Sequence, residues 1–389
     1  MTSPIVYLDN NATTQVAPEV VVAMQPFFTE HWGNPSSMHA FGGRVAADVE
    51  KARAQVASFL GCAPAEIVFT SCATESDNAA INGIVETLGP QTRIITSRVE
   101  HPAVLGPCRH LREKGHQVVE IGVDSQGRFD MEAFRRELAA SSAPTLVTIM
   151  WANNETGVLF PIDEIARLAK AAGAIVHTDA VQVMGKYPVN LSQTPVDLLS
   201  LSGHKFHAPK GIGVLFVRKG TRLRTWMIGG HQERGRRGGT ENVPYIVGLG
   251  KACELAAQDI AAGDLQRIGR LRDRLEQGLL ATCPDARVNG APELRLPNTL
   301  NISFEYIEGE AMIYRLSDAG ICASTGSACA AGSLEPSHVI RAMGVPFTAV
   351  HGSIRFSLSR YTTDSDIDSV LREMPRIVAD LRAMSPFVK

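Results

Sequence analysis

The chain has 389 residues, 44% of them hydrophobic and 20% charged, with a formal net charge of -2 at pH 7. The length exceeds one ordinary domain and the composition excludes a disordered or fibrous chain, so two tightly packed domains are expected. A charge so near zero excludes a global field for nucleic acid or an anionic membrane and leaves any anion site to be built locally.

The N-terminal MTSPIVYLDNNATT has no basic stretch leading into an apolar one, and no later run reaches the ~20 apolar residues of a membrane span. A cytoplasmic protein is therefore expected. Strand-like runs then alternate with helical ones. Residues 67–70 predict a strand and 73–88 a helix; 93–97 predict a strand, followed by a helix led by Pro102. A strand at 145–150 precedes a helix at 161–172, and further strands are expected at 174–178, 197–202 and 213–217. This alternation implies an α/β domain with a mainly parallel sheet covered on both faces, taking ligands beyond the carboxyl ends of its strands. The two runs flanking Lys205 read as a hairpin that adds an antiparallel member. After about residue 260 the pattern changes to a helix from Asp264 to about Leu280, a strand at 299–304, a helix at 309–318, a strand at 353–358 and a terminal helix. The expected division is a large domain over 16–260 and a smaller α+β domain formed by 1–15 and 261–389.

Several segments carry chemistry. VFTSCATESDN is a strand, a turn of small residues and a helix start, whose open amides and Thr74 hydroxyl form a phosphate cradle or a plain helix cap. No GxxxxGK[ST] run is present, which argues against a nucleotide P-loop. His101 follows a strand and precedes a proline-led helix; it is either structural or an imidazole laid over a cofactor ring as acid or base. Asp179 ends a strand, where a carboxylate can hold the proton of a pyridine nitrogen or cap a helix. Gln182, three residues on, donates to a phenolic oxygen or is a polar loop residue. Lys205 follows an apolar strand between the phosphate-capable donors Ser202 and His204, and a Schiff-base lysine needs such a partly desolvated place to lose its proton. Lys210, in a Pro-Lys-Gly turn, is the solvated alternative.

GGHQERGRRGGTENV sets Arg234, Arg236 and Arg237 against Glu233 and Glu241. It reads as a solvated loop or a weak RNA-type patch, and its shortness and lack of aromatics disfavour nucleic acid. The seven cysteines (Cys62, Cys72, Cys108, Cys253, Cys283, Cys322, Cys329) are odd in number, scattered and free of any CxxC pair. Neither a disulfide framework nor a zinc knuckle fits them, so reduced and mostly inert thiols are expected. Cys329 is the exception: CASTGSACAAGSLEP is too small and polar to pack a core, which predicts an exposed thiol on a mobile loop. Cys322, after Ile321, is expected to be its buried counterpart. In SIRFSLSR, the planar fork of Arg355 suits a substrate carboxylate.

Together YLDNNATT, TSCATESDN, NNETG, HTDAVQ, SGHKFHAPKG, RRGGTENV, TGSACAAGSLEPSH and SIRFSLSR resemble the cysteine desulfurases, in the branch that serves nitrogen fixation and iron-sulfur housekeeping. The resemblance runs over nearly the whole chain. It implies a pyridoxal 5'-phosphate enzyme of fold type I, homodimeric with sites shared between subunits. Residue by residue it implies that Lys205 carries the cofactor as a Schiff base, that His101 stacks on its ring, and that Asp179 and Gln182 contact the ring nitrogen and phenolic oxygen. Thr74, Ser202 and His204 would hold the phosphate, Ala73 would be a further cofactor contact, and Thr240 would reach the phosphate of the other subunit. Asn154 would border the cofactor and, with Arg355, bind the carboxylate of L-cysteine.

In the implied reaction Lys205 takes the α-proton, and His101 serves as a proton acceptor that helps ionise the Cys329 thiol. The Cys329 thiolate attacks the substrate sulfur, leaving alanine and a persulfide destined for an iron-sulfur scaffold protein. No metal is expected in the resting enzyme, Cys329 being at most a transient iron-sulfur ligand, and neither nucleic acid nor membrane is an expected partner. Cys72, where the family commonly has glycine, and AAGSLEP are minor departures that touch no group the reaction needs. An aminotransferase or β-lyase would use the same lysine, aspartate and phosphate groups but no loop thiol.

Overall fold

The structure is a computed structural model that describes residues 5–325 and 335–385. Strand β1 (Val6–Tyr7) is followed by helices α1 (Pro18–Met24), α2 (Pro26–Thr29) and α3 (Ala40–Leu60). Strands and helices then alternate: β2 (Ile67–Thr70), α4 (Ala73–Leu88), β3 (Arg93–Ser97), α5 (Pro102–Glu113), β4 (Gln117–Ile121), α6 (Met131–Ala139), β5 (Thr145–Thr148), α7 (Ile162–Ala171) and β6 (Ile175–Asp179). Strands β7 (Leu198–Ser202) and β8 (Gly213–Val217) come next, then α8 (Val243–Ala261).

These strands form one seven-stranded sheet in the order β2-β8-β7-β6-β5-β3-β4. β8 runs antiparallel to β2 and β7, while the other pairs are parallel. The expected antiparallel hairpin around Lys205 is thus the β7–β8 pair. Neighbouring residues on a strand face opposite ways, and here both faces are apolar. Ile94, Leu146, Leu198 and Leu215 pack against Ile81 and Ile84 of α4 and Val104 of α5. Ile95, Val147, Leu199 and Phe216 belong to the opposite core with Ile165 of α7, Val49 of α3 and Ile246 of α8. The apolar spacing Val45, Val49, Ala52, Val56, Leu60 gives α3 its buried stripe, and Gly61 ends the helix at φ 69, a left-handed conformation that favours glycine.

The remainder comprises α9 (Asp264–Thr282), β9 (Ala286–Val288), β10 (Thr299–Phe304), α10 (Gly309–Asp318), β11 (Ile321–Cys322), α11 (His338–Ala342), α12 (Phe347–Val350), β12 (Ser353–Ser357) and α13 (Asp364–Met384). β10 lies between antiparallel β12 and β9, and β1 pairs in parallel with β11. A separate core joins Val6 and Leu8 to Leu275 of α9, Ile302 and Phe304 of β10, Leu316 of α10, Phe356 of β12 and Val370 of α13. Cys322 stands on the expected strand but is half-buried rather than buried, because two-residue β11, among the described strands, pairs with β1 alone and leaves its other edge open. Among the described residues no helix is long and apolar enough to cross a membrane.

Candidate active site

A cleft of about 460 Å³ opens at the carboxyl ends of the sheet strands. Ala73, Thr74, His101, Asn154 and Asp179 line it, together with Gln182, Ser202, His204, Lys205 and Arg355. Nine of them stand at strand ends, at helix starts or on the segments between, and Arg355 stands in the middle of β12. Thr240 lies on the segment joining β8 to α8, exposed and outside that lining. Cys329 lies outside the described residues.

Lys205 closes a single helical turn, Gly203–Lys205, that directly follows β7. Its Nζ donates to the carbonyls of Asn11 at 2.7 Å and Ala12 at 2.8 Å. The N-terminal segment is itself fastened beside this turn: Thr14 N donates to the His204 carbonyl at 2.9 Å, and His204 Nδ1 lies 3.1 Å from Thr13 Oγ1. Burial, with the charges of Lys205, Lys210 and Lys186, pushes the His204 pKa down to about 4, so its ring is neutral at physiological pH. Gln182 Nε2 donates to the Asn11 carbonyl at 3.1 Å, which makes Asn11 a common acceptor for two of the expected site residues.

Asp179 ends β6 deep in the cleft, and its Oδ1 accepts from Val181 N at 2.9 Å. Burial raises its pKa, while the charges of His101 and Lys205 pull it down. Asp77, on the second turn of α4, is fully buried and also lines the cleft. Burial and the Asp179 charge drive its pKa well above the usual carboxylate range, as two neighbouring buried carboxyls cannot both ionise cheaply. Its nearest cationisable neighbour is His177 Nε2 at 3.5 Å, a ring that burial holds neutral by lowering its pKa to about 3.

Helix α4 starts at Ala73 with Cys72 at its N-cap, and no side chain caps it. Its first-turn amides, which have no intrahelical acceptor, therefore border the cleft beside the Thr74 hydroxyl. Gly213 keeps this turn in place from behind: a Cβ there would stand 2.7 Å from the Cys72 backbone carbon.

His101 caps α5, its Nδ1 accepting from Ala103 N at 3.1 Å. An accepting Nδ1 puts the proton of the neutral ring on Nε2. Burial lowers the His101 pKa, with Asp179 opposing and Lys205 and His338 reinforcing the shift. Arg355 donates to Asp9 Oδ1 at 2.8 Å and to the Asn154 carbonyl at 3.0 Å. Its carboxylate-matching fork is therefore already part-occupied by Asp9, a contact that an incoming carboxylate would have to share or displace.

The ends of the segment that bears Cys329 meet this cleft. Ser324 bridges Arg355 through the backbone, and His338 lines the cleft with its Nε2 3.0 Å from the Glu100 carbonyl. Between them Ser337 Oγ donates to the buried Glu155 Oε2 at 2.5 Å. Asn11, Ala12, Asp77, Glu155 and His338 are cleft residues that sequence reasoning did not single out. The one signal for them was that each lies inside or next to a motif already noticed.

The aminotransferase class-V family model matches residues 6–370. A cysteine desulfurase of Nostoc sp. is 57% identical over 383 residues, spanning 98% of this chain and 95% of the relative. The cysteine desulfurase NifS of Azotobacter vinelandii is 55% identical over 383 residues, spanning 98% and 94%. The chain belongs to the cysteine desulfurases. A solved structure of a NifS-like protein superimposes with a TM-score of 0.91 at 40% identity, covering 97% of this chain and all of the other. The fold is accordingly that of the type I pyridoxal-phosphate enzymes.

The cleft suits the cofactor of this cysteine desulfurase family. It holds a set of neutral donors at the start of α4, a buried carboxylate at Asp179 and a lysine amine between chain segments. Those are the complements of a phosphate, a pyridinium nitrogen and an aldehyde carbon.

Proposed function

We propose that the chain is a cytoplasmic, homodimeric pyridoxal-phosphate cysteine desulfurase that converts L-cysteine to L-alanine and passes the sulfur, as a Cys329 persulfide, to an iron-sulfur scaffold protein. The observation that carries this reading is the convergence of Lys205, Asp179 and the open start of α4 on one cleft, with both flanks of the Cys329 segment at its edge. Pyridoxal phosphate, when bound, supplies an electron sink that weakens bonds at the substrate α-carbon.

The side chains do the rest. Lys205 would bond the cofactor and, once displaced by substrate, carry the proton of the substrate Cα. Asp179 would hold a proton on the ring nitrogen, Gln182 would donate to the phenolic oxygen, and Ala73, Thr74, Ser202 and His204 would hold the phosphate. His101 would cover the ring, with Nε2 as the atom that exchanges protons. Arg355 and Asn154 would orient the cysteine carboxylate. Cys329 would then take the substrate sulfur: its thiolate forms the new S–S bond as the substrate Cβ–S bond breaks, the bonding pair stays with the carbon fragment, and a proton added at Cβ completes alanine.

The shared site draws support from exposed apolar side chains in two segments. Trp32 is 69% and Met38 103% exposed in one, and Ile228 is 88% exposed in the other, beside Trp226 and Met227. Such surfaces on a soluble chain mark contacts with other molecules. The Ile228 segment also leads to Thr240, which we assign to the phosphate of the partner subunit. The packing of Val6 and Leu8 with the second core supports a large domain over 16–260 and a smaller one from 1–15 and 261–389.

The test supplies L-cysteine and a reductant to the pure protein. Alanine and sulfide are expected in equal amounts, from a species that sediments as a dimer. Alanine without mobilised sulfur, or pyruvate in its place, would refute the desulfurase reading, and full activity from a monomer would refute the shared site.

A further inference from the structure

The first turn of α4 contains an acidic side chain, Glu75, close to where the site reading puts a dianionic phosphate. Its carboxylate is turned away from the cleft lining and is almost wholly consumed. Oε2 accepts from Ser71 N at 2.7 Å and from Ser71 Oγ at 2.5 Å. Arg237 closes on it from the distant segment between β8 and α8, with Nε 2.9 Å from Oε1 and Nη2 3.3 Å from Oε2. The pair is sheltered, the Glu75 side chain 8% and the Arg237 side chain 21% exposed. Burial alone would raise the Glu75 pKa, yet the bonds from Arg237 and Ser71 hold it below the usual range, so the carboxylate is charged.

We propose that Arg237 is a positioning residue for the phosphate end of the site. By gripping Glu75 it braces the Ser71–Cys72 turn that opens α4, and it cancels a negative charge that would otherwise repel the phosphate. The inference rests on the reading that this turn receives the phosphate of pyridoxal phosphate. A forked, two-point grip suits the task better than a point charge, because it fixes the orientation of the carboxylate as well as its charge. The same segment carries Thr240, so the grip also ties the phosphate turn of one subunit to the residue it lends to its partner.

Two ligands separate charge positioning from simple structural support: pyridoxal phosphate and phosphate-free pyridoxal, both able to bond Lys205. Dissociation constants are measured by absorbance titration of the full-length chain. Arg237→Gln should weaken pyridoxal phosphate about tenfold, the size expected for one uncompensated charge at a partly screened distance, and leave pyridoxal unchanged. Adding Glu75→Gln to that variant should restore the phosphate ligand to within about threefold of the parent. Equal weakening of both ligands, or no restoration in the double variant, would overturn the proposal. If Arg237→Gln does not fold, Arg237→Lys, which keeps the charge but not the fork, should weaken pyridoxal phosphate by less than about tenfold and leave pyridoxal unchanged, and an equal loss of both ligands would refute the proposal. Failure of the unaltered protein to bind either ligand would instead sink the reading of the site itself.

Discussion

Lys205→Ala is expected to abolish covalent attachment of the cofactor and to cut desulfurase turnover by at least about 10³-fold, since it removes both the bonding amine and the group that moves the α-proton. The structure supplies a real competitor for the role. Lys186 is buried, and burial together with the charges of Lys205 and Arg355 drives its pKa well below the usual lysine value, a state that favours a nucleophilic amine. Its Nζ, however, donates to Gln182 Oε1 at 3.0 Å and Asn11 Oδ1 at 3.4 Å, and it does not line the cleft. Lys205 does line it, its amine held by the backbone carbonyls of Asn11 and Ala12. Lys210 is exposed, and Lys210→Ala should leave attachment and turnover intact. Borohydride reduction followed by peptide mapping gives the answer, and a label on Lys186 would overturn the assignment.

Cys329→Ala should bind pyridoxal phosphate and L-cysteine normally, keep its melting temperature, and mobilise no sulfur above background. The other thiols are poorly suited to replace it. Burial pushes the pKa of Cys62 and Cys108 up to about 12, and it raises Cys253, Cys283 and Cys322 as well, so these side chains stay protonated at neutral pH and are weak nucleophiles. Cys72 is the rival that geometry keeps in play, because it borders the cleft at the phosphate turn. Cys329 stands four residues beyond Thr325 and five beyond Ser324, which bridges Arg355 at the cleft edge. A chain of that length spans at most about 14 to 18 Å, enough to bring a thiol back to a substrate held at Arg355. Alkylation after addition of L-cysteine, followed by mass spectrometry, should place the extra sulfur on Cys329. Sulfur found on Cys72, or a normal sulfide yield from Cys329→Ala, would end the claim.

Much of this molecule was legible one residue after another. β2, α4, β3, β8, β10 and α10 have the bounds that alternation and helical spacing predict, because their signals are local: a run of apolar residues between small or turn-forming ones. The strand at 145–150 stops at Thr148, although Ile149 N still donates to the His177 carbonyl of β6 at 3.2 Å and both Ile149 and Met150 lie in the buried core. Helices α3 and α8 and strand β4 were not among the expected elements, although the stripe Val45, Val49, Ala52, Val56, Leu60 shows that α3 could have been found.

The motifs also named ten of the residues that line the cleft; all but Arg355, which stands mid-strand in β12, lie at or between element ends, and such places are marked by caps, prolines and glycines in the sequence itself. Tertiary structure alone decided what holds those residues. The Lys205 amine rests on Asn11 and Ala12, 194 and 193 residues away, and Arg237 grips Glu75 across 162. Contacts over such distances leave no periodic trace, because they arise from how the sheet is ordered and where its connections cross. Most of the elements and the parts of the chemistry were thus written locally along the chain; the packed fold decided which carbonyl, carboxylate or arginine each would meet.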